Sequence, residues 1–225
     1  MALNFIQTLT FKFSSTHQFI SIPKPAKSFI PKWYKKAEQS DDAPSFKKCM
    51  PFLDAMTSGY IIELSQDIVV TQVNGSPFMT WATDPIPVEV RDMDSSKGLS
   101  VPNGCDETIS LAWNSTYNFK TPTGYSVLVT HPFNRYDLPF VTTSGIVDAG
   151  EGMHSGQIPF FLQKGFEGVI PKGTPIAQLL PYKVENWKSE EDKTLNLLGE
   201  KSKWETKSVI SGWYKNNRWN KKEYN

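Results

Sequence analysis

The sequence predicts a mainly β fold: a single jelly-roll or β-clip-like barrel or sandwich with one short helix and extended N- and C-terminal arms. The strongest indication is the stretch from Gly124 to Trp187, where short runs rich in Val, Ile, Phe and Tyr alternate with Pro, Gly and Asn. This is the pattern of consecutive strands joined by tight turns. The sequence also lacks an internal repeat of about 20 to 50 residues, which argues against solenoids and propellers.

Composition and charge narrow the class of protein further. The chain has 225 residues, 39% of them hydrophobic and 21% charged, which is ordinary for a folded domain. Its net charge of +1 gives no overall electrostatic reason to bind nucleic acid or acidic lipid. Cys49 and Cys105 lie too far apart for a zinc motif or a disulfide scaffold, so both are expected to be reduced. We therefore expect no metal and no cofactor.

The N-terminal third should contain one strand, one connector and one helix. Asn4 to Phe13 has the alternation of a strand, and Ile20 to Lys36 is a connector in which three prolines favour extended or turn conformations. Pro51 can begin a helix of about two turns that Gly59 ends.

The following residues predict a three-stranded meander. Tyr60 to Leu64 and Asp67 to Val73 form a hairpin across Ser65 and Gln66 in this interpretation, and Asn74-Gly75 turns the chain into a third strand, Phe78 to Ala82. Thr108 to Asn118 is a further strand before the stretch that begins at Gly124.

The C-terminal arm differs in character from the rest. Ser189 and the acids after it are typical of a helix N-terminus. The last 25 residues then contain seven Lys or Arg and two acids, interleaved with Trp and Tyr. We expect three regions: an N-terminal strand and Pro-rich connector (1–36), a β core (37–187) and a C-terminal helix with a basic, Trp-rich arm (188–225).

Residues 144–182 resemble the dUTPase and dCTP-deaminase superfamily. Gly145 to Asp148 (GIVD) and Gly173 to Leu179 (GTPIAQL) match two of its strand motifs. The resemblance implies β-clip topology. It does not extend to catalysis, because the phosphate-binding Ser is absent near His131 to Arg135 and the family's Tyr-Arg pair is replaced by Gly152 to Ser155.

A second resemblance covers most of the chain and is to uncharacterised proteins of T4-like marine phages, and more distantly to a bacterial domain family of unknown function. It is carried by the segments Ile30 to Lys36, Lys47 to Tyr60, Pro122 to Tyr125, Thr130 to Arg135, Ser144 to Asp148 and Gly173 to Gln178. The resemblance implies a phage-encoded protein that can be part of the virion.

One set of polar residues is a candidate pocket, listed here in chain order: His131, Asn134, Arg135, Asp148 and His154. Two His and one carboxylate suit a non-haem iron site, and Arg135 suits an anionic ligand. The alternative is structural: His131 bonds within a turn, and Asn134 to Asp137 supply the acceptors of that turn. No nucleophile elbow or phosphate-binding glycine loop accompanies them.

Aromatic residues of the two arms are candidate interface anchors, because Trp and Tyr dominate protein interfaces. They are Trp33, Tyr34, Trp204, Trp213, Tyr214 and Trp219. The basic C-terminal tail offers two further interpretations: it can stack single-stranded bases, or it can simply pack on its own domain. It is the only part of the sequence that suggests nucleic acid.

These observations favour a non-enzymatic phage structural or assembly protein that acts through contacts with other phage structural proteins or copies of itself. The alternative is an enzyme or binder of small molecules or nucleotides with a pocket near His131. Neither a secretory signal nor an apolar run of membrane-spanning length is visible, so we expect the virion or the infected host cytoplasm and no membrane.

Overall fold

The computed structural model describes residues 9–15, 17, 22–38, 45–91, 97–152, 156–194 and 213–225. Fourteen strands and three α-helices lie in these residues. The strands are β1 Lys12–Ser15, β2 Lys24–Pro25, β3 Tyr60–Glu63, β4 Ile68–Val73, β5 Ser76–Thr80, β6 Val88–Arg91, β7 Ser110–Asn114, β8 Tyr117–Lys120, β9 Tyr125–Thr130, β10 Phe140–Thr142, β11 Gly145–Asp148, β12 Gln157–Leu162, β13 Gly168–Ile170 and β14 Pro175–Lys183. The helices are α1 Lys32–Lys36, α2 Met50–Thr57 and α3 Trp213–Asn217.

The strands form four sheets, and the strand pairs with a resolved register are all antiparallel. Their orders are β11-β9-β14-β3-β2, β10-β12-β7-β6, β13-β4-β5 and β1-β8. None of these described sheets closes on itself, and the few helices are short. The predicted mainly β fold of sandwich or clip type is therefore confirmed.

Two compact units divide the chain. The first consists of Met1–Lys24 and Gly59–Val184, and the second of Pro25–Ser58 and Glu185–Asn225. The predicted boundaries at residues 36 and 187 differ from this division mainly at 25–58. That segment carries the aromatic and helical residues that pack with one another, whereas the strands resume at Tyr60.

The five-stranded sheet of the first unit places both dUTPase-like motifs on strands. GIVD is β11, and the residues Ile176 to Leu179 lie in β14, with β9 hydrogen-bonded between the two strands. β14 lies inside the sheet with partners on both edges, and Ile176, Ala177, Gln178 and Leu179 are all buried, so both faces of the strand are covered here. Apolar side chains and a satisfied glutamine are what such a position requires.

An aromatic stack forms the centre of the first unit's core. The rings of Trp113 and Phe160 are parallel within 7° with centroids 3.6 Å apart, and Phe140 packs edge-on against Trp113. The indole N–H of Trp113 donates to Thr142 Oγ1 at 3.1 Å, and that hydroxyl donates to the carbonyl of Ile176 at 2.6 Å. The one polar atom of the largest buried ring is thus paired, as burial demands.

The predicted meander is wrong in its first strand. β3 does not pair with β4; it pairs with β14, so that Ile61 lies opposite Gln178. The hairpin across Asn74-Gly75 is confirmed, since both residues have positive φ and β4 pairs with β5. The third strand beside β4 is β13. Ile61 and Ile62 are both buried, so β3 needs cover on two faces, which a local hairpin does not supply.

Other local predictions meet mixed outcomes. The helix at Pro51 is confirmed as α2, with Pro in its first turn and Gly59 at φ +73° just beyond its end. The segment from Thr108 to Asn118 contains two strands, β7 and part of β8, where the sequence predicted one. Residues 4–8 of the predicted first strand lie outside the described residues, and β1 begins at Lys12.

The second unit combines short helices with irregular chain. The predicted proline connector contains a 3-10 helix, Ala26–Phe29, and α1, which Pro31 precedes at the N-cap position. Residues 184–192 are irregular and 193–194 form a turn, so no helix begins at Ser189. Residues 195–212, which carry the rest of that predicted helix, lie outside the described residues.

Candidate functional site

His131 begins a turn directly after β9, and hydrogen bonds fix its tautomer. Its Nδ1 atom accepts from the backbone N–H of Thr142 at 3.2 Å, so the proton resides on Nε2, which lies 3.1 Å from the carbonyl oxygen of Arg135 and donates to it. Burial lowers the pKa of His131, and the nearby Arg135 charge adds to this. Both ring nitrogens form hydrogen bonds within the protein, so the ring is neutral and its role in this turn is structural.

Arg135 and Asn134 belong to the same turn. Arg135 donates from Nε and Nη2 to the two carboxylate oxygens of Asp137 at 2.8 and 3.0 Å, a bidentate pair. Asn134 has φ +59°, a left-handed conformation that Asn tolerates. Arg135 and Asp137 also line an open cleft of about 440 Å³ with Phe166 and Pro171. A bound anion would have to compete with Asp137 for the guanidinium.

Asp148 lies away from this turn. Its Oδ1 accepts from Ser126 Oγ at 2.5 Å, and the two residues are cross-strand partners on β11 and β9. Ser126 is near the start of β9 and His131 follows its end, about 16 Å farther along at the usual rise per strand residue. The structure thus brings together His131, Asn134 and Arg135 but not Asp148, and His154 lies outside the described residues.

The described residues hold no group of three or more His, Cys, Asp or Glu side chains suited to a metal ion. Cys49 is half-buried and Cys105 buried, both are free thiols, and burial raises the pKa of Cys105. Among the described residues no helix has the length and apolarity needed to cross a bilayer.

The candidate interface residues fall into three groups. Tyr34 is buried and Trp33 is 37% exposed on α1. Trp219 is half-buried, and its indole N–H lies 3.0 and 2.9 Å from the two carboxylate oxygens of Asp54 in α2. Trp213 and Tyr214 begin α3, where the Tyr214 side chain is exposed. Trp204 lies outside the described residues.

An exposed apolar face on the three-stranded sheet is a feature that the sequence analysis missed. Alternate residues of β4 point outward, and Val69 lies opposite Val169 of β13 while Thr71 lies opposite Phe78 of β5. The large apolar members are between 42% and 57% exposed: Val69, Val73, Phe78 and Val169. Thr71, Ser76 and Thr80 complete the outward positions, so no outward strand position is charged. We call these seven residues the uncharged sheet face.

A signal for this face was present in the sequence. Strand β4 reads IVVTQV, with Ile68 and Val70 on its inner face and Val69 and Val73 on its outer face. A half-buried strand of an antiparallel sheet normally alternates apolar and polar residues. Apolar residues on both faces of β4 are therefore unusual for a strand with one face in solvent, and they indicate an outer face suited to contact with another molecule.

The first unit also contains an apolar cavity of about 270 Å³. Its lining includes the apolar residues Phe119, Val129, Val147, Ile158 and Leu179 and the polar residues Ser115, Thr143, Ser144 and Gln157. None of the described lining residues is Lys, Arg or His. The cavity suits a small ring with a polar edge better than a phosphate.

Comparison with known proteins gives structural neighbours only. No protein-family model matches the sequence, and no curated protein matches it. The dUTPase of Staphylococcus bacteriophage 80alpha, in a mutant form with dUpNHpp, is 14% identical with a TM-score of 0.38, over 82% of this chain and 97% of that one. A second mutant of the same enzyme is 14% identical with a TM-score of 0.39, over 82% of this chain and 88% of that one.

A mutant dUTPase from phage phi11 of S. aureus, described with a structural Mg(II) ion, is 13% identical with a TM-score of 0.38, over 82% of this chain and 97% of that one. These solved structures are phage dUTPases. At such identities and TM-scores the likeness carries no inference about activity.

Proposed function

We propose that this chain is a non-enzymatic protein that works through protein–protein contacts, in the class of phage structural or assembly proteins. The observation that supports it is the uncharged sheet face. Contiguous exposed apolar surface on a folded protein marks interaction sites, because leaving it in water forfeits about 25 cal/mol per Å² of burial.

The geometry of the face suits a flat protein partner. Val69 lies directly opposite Val169, about 5 Å away, and Phe78 is its diagonal neighbour on β5 at about 7 to 8 Å, within reach of an aromatic ring, so the three form one continuous patch. Three strands of about five residues cover a few hundred Å², less than the roughly 800 Å² per partner of a stable interface. The face is therefore the apolar centre of an interface whose polar rim comes from neighbouring residues, the arrangement found in protein complexes.

The partner is a second copy of the chain or another structural protein, and the test separates them. Sedimentation velocity of the full chain measures self-association, and mass spectrometry of purified phage particles detects incorporation. The double variant Val69→Thr/Phe78→Ser should weaken association or incorporation tenfold or more, since central aromatic anchors cost at least about 1.4 kcal/mol when lost.

Val90→Thr is the control, because Val90 is also an exposed valine, at 63%, but lies on β6 in a different sheet. It should leave association unchanged. A chain that stays monomeric and is absent from particles would overturn the proposal, as would equal behaviour of the double variant and the wild type.

The apolar cavity favours a second candidate function, the binding of a small ring compound. A cavity of about 270 Å³ exceeds the roughly 150 Å³ that holds benzene, and the hydroxyl groups of its lining can orient a heterocycle. Thermal-shift measurements with single-ring heterocycles test this. Stabilisation of the wild type that disappears in Val147→Phe, which fills the cavity, would favour ligand binding; no shift with any ring would reject it.

A further inference from the structure

Three aromatic rings pack around Phe52 in the second unit. Tyr34 stacks on Phe52 with an interplanar angle of 24°, and the centroids of Trp33 and Phe46 lie 6.5 and 5.0 Å from that of Phe52. Tyr34 is buried, whereas Phe46 is 68% exposed and Trp33 is 37% exposed. The inner rings thus support two outer rings that present apolar surface to solvent.

Four lysines lie on the same two short segments as these outer rings. Lys32, Lys35 and Lys36 are exposed on α1, and Lys36 follows Trp33 by three residues, so the two are neighbours on the helix surface. Lys47 lies next to Phe46 in sequence; its ammonium is 4.7 Å from the centre of the Tyr34 ring and donates to the carbonyl of Lys35 at 3.2 Å. We call Trp33, Phe46 and these four lysines the aromatic–lysine surface.

The charge of the whole second unit reinforces this local pattern. Its segments contain 15 Lys or Arg and 11 Asp or Glu, a net charge of +4, whereas the first unit has 9 and 12, a net charge of −3. The near-zero total of the chain therefore conceals opposite charges on its two units. The carboxylate of Asp54 in α2 already forms an ion pair with Lys222 and accepts a hydrogen bond from Trp219. An anionic partner is attracted to the second unit.

We propose that the aromatic–lysine surface binds single-stranded nucleic acid. Unpaired bases stack on exposed rings, each for about 1 to 3 kcal/mol, while lysines neutralise the adjacent phosphates. An acidic peptide without aromatic side chains, such as polyglutamate, would satisfy the lysines but offers no ring to stack on Phe46 and Trp33. Every base has a face that can stack on a ring, and the lysines contact phosphates, so binding is insensitive to sequence.

Fluorescence anisotropy of the full chain with labelled oligo-dT and oligo-U tests the proposal. Phe46→Ala removes the more exposed ring, which packs on the half-buried Phe52 but is itself 68% exposed, and should weaken binding roughly fivefold or more. Lys32→Gln/Lys36→Gln removes two phosphate contacts and should lower the slope of log K against log salt by about 1.4. Binding of either oligonucleotide supports the proposal, and the tighter one identifies the natural ligand.

Phe78→Ala is the matched control, since Phe78 is a similarly exposed phenylalanine of the first unit. It should bind oligonucleotides like the wild type, which also separates this inference from the proposed protein contacts. Absence of binding at low salt, unchanged binding by Phe46→Ala, or equally tight binding of polyglutamate would overturn the proposal.

Discussion

At the scale of single residues, His131 couples a protonation state to the fold. Nδ1 of the neutral ring accepts a hydrogen bond from the backbone N–H of Thr142, and Nε2 donates one to the backbone carbonyl of Arg135. A second proton would remove the acceptor and place a charge in a buried position beside Arg135. Burial accordingly lowers the pKa of His131 below its ordinary value of 6.5.

This predicts an acid-sensitive stability. Well above pH 6.5 the ring is neutral in both the folded and the unfolded chain, and its contribution to stability is complete. As the pH falls through 6.5 the unfolded chain binds the proton first, and the free energy of unfolding drops by at most about 1.4 kcal/mol per pH unit. Urea unfolding between about pH 7 and pH 5.5 measures the effect. His131→Gln should be less stable at neutral pH and show a flatter pH dependence.

His17 provides the control for that measurement, because it lies exposed in a bend near β1. His17→Gln should retain the wild-type slope. A wild-type chain whose stability is level over this pH range would contradict the account. The sequence offered a hydrogen bond of His131 within a turn as the structural alternative to a pocket, because His131 precedes Pro132, but the acceptor role of Nδ1 depends on Thr142, eleven residues away.

At the scale of elements, Gly59 joins α2 to β3 at a point where no side chain fits. Its φ of +73° disfavours any residue with a Cβ, and a Cβ there would overlap the carbonyl oxygen of Leu179 in β14. Gly59→Ala should therefore destabilise the chain by more than about 2 kcal/mol, the left-handed cost plus a displacement of backbone. Chemical denaturation measures the loss.

Gly75 is a matched control with nearly the same backbone, because its φ is +80° and a Cβ there meets nothing within 4 Å. Gly75→Ala should cost only the left-handed penalty, about 1 to 2 kcal/mol. Equal losses at the two glycines would show that the contact with Leu179 does not matter.

These elements also show how far sequence predicts this fold. The helix ending at Gly59 and the turn at Asn74-Gly75 are local conformations, and both were predicted. The pairing of β3 with β14 joins residues more than a hundred positions apart, as Ile61 with Gln178, and a run of buried Ile does not identify its partner. For the same reason the uncharged sheet face, which needs β13 beside β4, was not predicted.

At the scale of the whole molecule, segments far apart in sequence build the second unit. The sequence analysis assigned Trp219 to contacts with other molecules, as one of several interpretations of the tail, because ring content alone does not say which surface a ring covers. In the structure the carboxylate of Asp54 in α2 accepts hydrogen bonds from Trp219 Nε1 and Lys222 Nζ. Lys27 Nζ donates to Asn225 Oδ1 at 3.1 Å. The last seven residues are thereby attached to 25–58.

Asp54 is therefore expected to control the protease sensitivity of the C-terminus. Asp54→Ala leaves a half-buried indole N–H and an ammonium without their acceptor, at a cost of about 1 to 3 kcal/mol. Trypsin cleavage after Arg218, Lys221 and Lys222, followed by mass spectrometry, should accelerate roughly tenfold, because local release exposes those bonds. Asp192→Ala is the control, since Asp192 accepts only within its own turn from Thr194 in the described contacts. Equal cleavage of both variants would mean that the attachment of the tail does not depend on Asp54, and the rings of the tail would then be available to another molecule.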